Sequence, residues 1–264
     1  MKTNHVKEAL RRGTPQVGTW LTLASPFAAR FLARSGFPWL TVDLEHSPAD
    51  WETAALMFAS IADAGCVPLA RVPCNAHDHI KRALDSGAQG IVVPMVNTPE
   101  EAAAAVAAAR YPPVGKRSVG GSLHALSFGA TPAEYFAAAN REVLVVLQAE
   151  HVQAVENAEK IYSIPGIDAM FIGPNDLLSS MNKTPRMESS DEEFVSALRH
   201  LRETARRHGV APGLHTADAE MARRRIAEGW QFIAVGSDLS LMNSAAKATT
   251  EALGLGGSKE MARY

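Results

Sequence analysis

Short apolar runs rich in β-branched residues recur along this chain, separated by longer stretches whose apolar positions follow the helical period. Eight runs read as strands: Val17–Leu23, Trp39–Asp43, Val67–Val72, Gly90–Pro94, Val143–Gln148, Ala169–Gly173, Pro212–His215 and Phe232–Gly236. Helical patterns lie between them, among them Trp51–Ala64, His77–Ser86, Thr98–Arg110, Asp191–His208 and Asp218–Glu228. Thr98-Pro99-Glu100-Glu101 supplies an N-cap, a proline for the first helical position and early acids. Gly65, Gly87, Gly209 and Gly229 each stand where a left-handed C-cap is expected.

Strands that are apolar on both faces and alternate with helices imply a parallel sheet covered by helices. Eight such units in 264 residues predict a closed (β/α)8 TIM barrel, one domain over 1–264 with a mobile tail from Gly254 onward. An open doubly wound sheet would announce a nucleotide with a Gly-rich first turn, and Thr22-Leu23-Ala24-Ser25-Pro26 has no such pattern. Two segments break the alternation. Tyr111–Ala130 is glycine-rich, basic and too long for a plain connection, so it is a candidate active-site loop; Ser180–Ser190 is a second long connection.

Charge and composition then narrow the function classes. A formal net charge of -2 offers no field for nucleic acid, and Arg223-Arg224-Arg225 sits in helical context as a solvated face. Two cysteines, Cys66 and Cys74, make no disulfide framework. The opening segment is polar and basic without an apolar signal core, and no apolar run is long enough to span a membrane, so the cytoplasm is the expected compartment.

In such barrels the chemistry sits at the C-terminal ends of the strands. Here those ends read Asp43-Leu44-Glu45-His46, Arg71, Gln148-Ala149-Glu150 and Gly173-Pro174-Asn175-Asp176. Glu150 and Asp176 offer two carboxylates from neighbouring strands without thiolates or paired histidines. That donor set suits a hard divalent cation with open positions for the carboxylate and ketone oxygens of a 2-oxo acid. Either acid alone could instead cap the helix that follows it. Arg71, at the end of an apolar strand, could stabilise an enolate oxygen or form a structural ion pair with Asp43. His46 lies three residues after Asp43, whose carboxylate could orient the imidazole as a general base. His124 in the long loop and His215 at the seventh strand end are weaker candidates for substrate contact. No strand run ends in lysine, which argues against a Schiff-base route, and no Gly-x-x-x-x-Gly-Lys loop signals ATP.

At these residues the chain resembles the HpcH/HpaI family of class II, metal-dependent pyruvate aldolases, which cleave 4-hydroxy-2-oxo acids. The matching segments are Val42-Asp43-Leu44-Glu45-His46, Ala70-Arg71-Val72-Pro73, Leu84-Asp85-Ser86-Gly87-Ala88-Gln89-Gly90, Gln148-Ala149-Glu150 with Val155-Glu156-Asn157, and Phe171-Ile172-Gly173-Pro174-Asn175-Asp176-Leu177. The resemblance implies that Glu150 and Asp176 hold Mg²⁺, or Mn²⁺ or Co²⁺ in its place, that Arg71 steadies the enolate, and that His46 with Asp43 handles protons. It implies pyruvyl contacts from Gln148 and the backbone of Gly173, Pro174 and Asn175, and an apolar surround of Trp20, Phe171, Leu214 and Val235. It further implies a homo-oligomer, a dimer-of-trimers hexamer in which the last helix packs on a neighbour and Asp85 reaches a neighbouring site. Arg117 and His124 are then expected to meet the distal end of the substrate, with Tyr111–Ala130 covering the mouth.

The chain departs from the family pattern at Ala149-Glu150-His151, at Asn175, where alanine is common, and in the loop Lys116-Arg117-Ser118-Val119-Gly120-Gly121. These differences fall on the aldehyde side. An oxaloacetate decarboxylase of the macrophomate synthase kind on the same scaffold is the nearest alternative activity, and a non-catalytic binding protein is the alternative of a different class.

Overall fold

The computed structural model describes residues 1–255, so the predicted tail lies almost wholly outside the described residues. Eight parallel strands close into one barrel in sequence order: β1 (Gln16–Leu21), β2 (Trp39–Asp43), β3 (Val67–Arg71), β4 (Gly90–Val93), β5 (Leu144–Gln148), β6 (Ala169–Ile172), β7 (Ala211–Thr216) and β8 (Phe232–Ser237), with β8 returning to β1. Each expected strand is present to within two residues at either end. Of the five expected helices, three run one residue inside both bounds, which included the caps, and those that begin at Trp51 and His77 end one residue early, at the C-cap. Thr98 and Glu101 form the reciprocal capping box their spacing allows, and the four glycines after helices take positive φ.

Strand periodicity sorts the core into two layers. Trp39, Val67, Leu69, Leu144, Val146, Ala169, Phe171, Phe232 and Ala234 pack together inside the barrel, while Val42, Ala70, Val145, Ile172 and Leu214 face the helices. Trp39 stacks on Phe232 at 4.4 Å and fills the lower interior. Gly18 is the partner that room requires, since a Cβ there would lie 2.2 Å from the Trp39 ring. The helix His5–Arg11, which the polar N-terminal pattern did not reveal, closes the foot of the barrel by joining Val6 and Leu10 to the interior cluster.

The foot also carries a buried charge cluster. Lys7 Nζ lies 2.9 Å from Asp168 Oδ2 and donates to the Val143 carbonyl at 2.7 Å. Arg110 reaches Asp168 at 3.3 Å and the same carbonyl at 2.9 Å. Asp168 also accepts from Val145 N–H at 3.0 Å. Burial pulls the Lys7 amine down to about 8, with Asp168 working against that fall.

Candidate active site

The inward rows of the strands continue past the interior cluster and emerge as the functional side chains. Val67 and Leu69 point inward, so Arg71 does too; Leu144 and Val146 lead to Gln148 and then Glu150; Ala169 and Phe171 lead to Gly173. Register completes the grouping, with Asp43 directly beside Arg71 across β2 and β3, and Gln148 beside Phe171 across β5 and β6. The result is a cleft at the C-terminal mouth of about 700 Å³, counting its opening.

Arg71 is the hub of one wall. Its Nε donates to Asp43 Oδ1 at 2.8 Å and its Nη2 to Oδ2 at 2.6 Å, a two-pronged pair of the strong kind. Nη1 lies 3.2 Å from Glu45, and the guanidinium sits over the Trp20 ring at 4.7 Å. Burial works against the Arg71 charge, and the Asp43 hydrogen bonds with the Asp43 and Glu45 charges outweigh it. Glu45 is itself pushed up by burial, with Arg71 opposing. Trp20 stacks on His215 and tilts against Phe171, giving the cleft an aromatic floor.

Glu150 forms the other wall. Its Oε2 accepts from Gln148 Nε2 at 2.7 Å and its Oε1 from Met95 N–H at 2.9 Å. Burial lifts its carboxyl to about 7; the Met95 hydrogen bond opposes, and Asp176 and Glu45 add to the lift. A buried carboxylate left without a cation is costly, so the position calls for one. Three features test whether a divalent ion fits. A Cβ on Gly173 would stand 2.6 Å from Glu150 Oε2 and 3.5 Å from Asp176 Oδ2, so the bare backbone there leaves the space that both acids border. The Gln148 Oε1 oxygen is buried without a partner. Among the described residues no set of three or more His, Cys, Asp or Glu is grouped for a metal, and Glu150 and Asp176 are two hard oxygen donors bordering that space. The donors fit such an ion.

Most of the expected site residues meet here: Trp20, Asp43, His46, Arg71, Gln148, Glu150, Phe171, Gly173, Pro174, Asn175 and Asp176 all line the one cleft. Several do not behave as expected. The Asp43 carboxylate does not orient the His46 imidazole, because Arg71 occupies both its oxygens; Asp43 instead fixes the turn through the N–H groups of Glu45 and His46 at 3.1 and 3.3 Å. The carboxylate near the imidazole is Glu45, 3.8 Å from His46 Nε2. Leu214 and Val235 fall in the outer layer beneath the helices, one residue out of phase with the inward row; His215 and Gly236 line the cleft in their place.

The long loop stands away from the mouth of its own barrel. Tyr111–Ala130 follows a helix and precedes β5, so it lies at the foot of its own barrel, not the mouth. Phe128 accepts from Lys2 N–H there, and Arg117 is fully buried, donating to Asp85 at 2.7 Å and stacked over Tyr111. His124 packs on Tyr135 at 4.1 Å in the same cluster. Neither Arg117, His124 nor Asp85 touches the cleft of its own chain.

Thr22, Met187, Gly236 and Ser237 are cleft residues that sequence reasoning missed. Thr22 and Gly236 were findable, each two places beyond an inward residue. Met187 comes from the second long connection, where no periodic signal exists.

Fold and mouth together define a barrel enzyme of the carbon–carbon lyase class. The chain belongs to the HpcH/HpaI aldolase/citrate lyase family, whose model matches residues 16–245. It is 37% identical over 265 residues to the 4-hydroxy-2-oxo-heptane-1,7-dioate aldolase of Shigella flexneri, covering 98% of this chain and 97% of that protein. A solved HpcH/HpaI aldolase/citrate lyase family protein from Burkholderia cenocepacia J2315 superposes with a TM-score of 0.89 at 34% identity, over 95% of this chain and 99% of that one. Macrophomate synthase superposes at 0.81 with 26% identity, over 96% and 90% of the two chains.

Proposed function

We propose that this chain catalyses the reversible cleavage of a 4-hydroxy-2-oxo acid into pyruvate and an aldehyde, with a divalent cation held by Glu150 and Asp176. The observation that carries this reading is the convergence of those two carboxylates on the open space over Gly173, opposite Arg71. A bound Mg²⁺, Mn²⁺ or Co²⁺ would polarise the oxo-acid end of the substrate and stabilise charge building on its ketone oxygen. Gln148 and the Gly173–Asn175 backbone orient the pyruvyl part, and Trp20 and Phe171 keep water from its methyl side. Arg71, held in place by Asp43, supplies positive charge beside the enolate oxygen. His46 takes the proton of the 4-hydroxyl as the C3–C4 bond breaks and returns it in the condensation direction.

Assembly belongs to the same proposal. In the helix Asp238–Ala252 only Asp238 is buried, and Phe27 and Phe31 stand 74% and 76% exposed on the helix Pro26–Leu32. Such surfaces favour contact with further copies of the chain, and a dimer of trimers in the cytoplasm would bring the Asp85–Arg117 foot of one subunit toward the mouth of another. Likeness to macrophomate synthase favours oxaloacetate decarboxylation as a second reaction of this cleft.

The test is pyruvate release from a 4-hydroxy-2-oxo acid by purified enzyme. EDTA is expected to stop it and Mg²⁺, Mn²⁺ or Co²⁺ to restore it. Undiminished turnover in EDTA would overturn the proposal.

A further inference from the structure

The connection 181–191, between the helices Pro174–Ser180 and Glu192–Arg207, passes along the rim of the mouth. Among the described residues, 184–190 take part in no backbone–backbone hydrogen bond, so side-chain contacts fix their path. At the base, Lys183 Nζ lies 2.7 Å from Asp191 Oδ2 and 3.0 Å from Glu193 Oε2, which draws the two ends of the strap together. At the tip, Met187 is half-buried over the cleft, its sulfur 3.9 Å from Asn175 Nδ2.

The next residue, Glu188, holds that tip. Its carboxylate accepts from Arg224 Nη2 at 3.0 and 3.2 Å and from Arg225 Nη2 at 3.3 Å, both on the helix Ala219–Ala227. Each guanidinium is braced a second time, Arg224 by Glu220 at 3.1 Å and Arg225 by Glu228 at 2.9 Å. Two members of the run Arg223-Arg224-Arg225, a solvated face by sequence, are thus committed to one anion at the rim. Braced side chains lose little freedom on meeting Glu188, yet its carboxylate stands half in water, where such pairs are weak. A weak clasp on a segment without backbone ties opens and recloses readily, as passage of substrate requires.

Building on the aldol reading above, we propose that 181–191 is a strap that closes the mouth over the enolate, and that Glu188 is the positioning residue that seats Met187 as its cover. At one and the same carbon the enolate takes either the aldehyde carbon or a proton from water. A cover that excludes water favours the carbon–carbon bond. The clasp therefore sets the partition between the two outcomes, while formation of the enolate stays with the groups beneath it.

The experiment uses the full-length enzyme with Mg²⁺ and pyruvate in D₂O, with glycolaldehyde or 4-oxobutanoate as acceptor. NMR reads the aldol product and the deuterated pyruvate methyl in one sample, and their ratio is the partition. Glu188→Gln should lower that ratio about three- to tenfold, the worth of two surface pairs. Met187→Ala should lower it at least as far, and Met187→Leu should restore it. Glu159→Gln, which breaks surface pairs with Arg207 and His208 away from the cleft, should leave it unchanged. In about 1 M NaCl, where charges are screened beyond about 3 Å, the wild-type ratio should fall toward that of Glu188→Gln, and the variant should respond little. A ratio unmoved by Glu188→Gln in protein shown folded by circular dichroism overturns this inference alone. So does a wild-type ratio unmoved by salt, which needs no variant to fold. Absence of methyl exchange, or of condensation with both acceptors, in the wild type overturns the aldol reading and the inference with it.

Discussion

At the foot of the barrel Asp168 is met by Lys7, Arg110 and the Val145 N–H, and both cations also donate to the Val143 carbonyl. At the mouth, about one strand length away, Glu150 is even more deeply buried yet has only a carboxamide and one N–H, and neither it nor Asp176 forms an ion pair among the described residues. The same residue type is thus compensated at one end and left short of positive charge at the other. A saturated cluster serves stability, and an unsaturated one is held open for a ligand. Changes at the two ends should therefore separate cleanly into losses of stability and losses of turnover.

The largest separation is expected from Glu150→Gln or Asp176→Asn. Each should reduce aldol cleavage by about a thousandfold or more, in the range of losing a principal charge-stabilising group. Neither should lower the melting temperature of metal-free protein, since each removes an uncompensated charge. A variant that melts well below wild type would place these acids with the foot cluster instead.

His46→Ala should cost about 10²–10⁴-fold in aldol cleavage, the usual worth of a general base. Decarboxylation of oxaloacetate should suffer less, because carbon dioxide departs without a hydroxyl proton to remove. Parallel assays on the two substrates decide the matter, and equal losses would assign His46 to binding.

Asp168→Ala reverses the pattern. It leaves Lys7 and Arg110 buried without their anion, so urea unfolding should show a loss of about 3–5 kcal/mol, while kcat of the protein that remains folded stays near wild type. A loss below about 1 kcal/mol would mean that the foot cluster resembles a surface pair in worth.

The smallest effect is a pH dependence at the cleft floor. The folded His215 imidazole sits near 4, below its unfolded value of 6.5, because it is withdrawn from water. The unfolded chain therefore binds the proton first as pH falls. The stability attached to this group is complete above pH 6.5 and is lost as pH drops through 4, by at most about 3 kcal/mol. His215→Gln should remove that part of the acid loss, as read from unfolding free energies between pH 4 and 6.5. A wild-type and a variant curve that run parallel would falsify it.

The barrel was legible because a parallel strand buried on both sides has almost no choice of composition; Trp39–Asp43 reads the same from sequence and from structure. Strand ends then pointed to Glu150, Asp176 and Arg71. What misled was phase. Leu214 and Val235 look suited to a substrate wall, but the inward row runs through His215 and Gly236, and one residue of slip exchanges the two sides of a strand. The order of Tyr111–Ala130 in the chain, after a helix and before a strand, assigns it to the foot of its own barrel. Met187 was beyond reach, since no local pattern tells where an irregular connection folds back.

Gly173 has φ of -88° and ψ of 101°, values that alanine adopts as readily. Its missing side chain is therefore demanded by the chemistry above it and not by the backbone. A single added methyl group would stand in the space that both acids border, without touching either acid's identity or charge. Gly173→Ala thus offers the laboratory a plugged form of the enzyme, in which the acids are intact and only the room between them is gone.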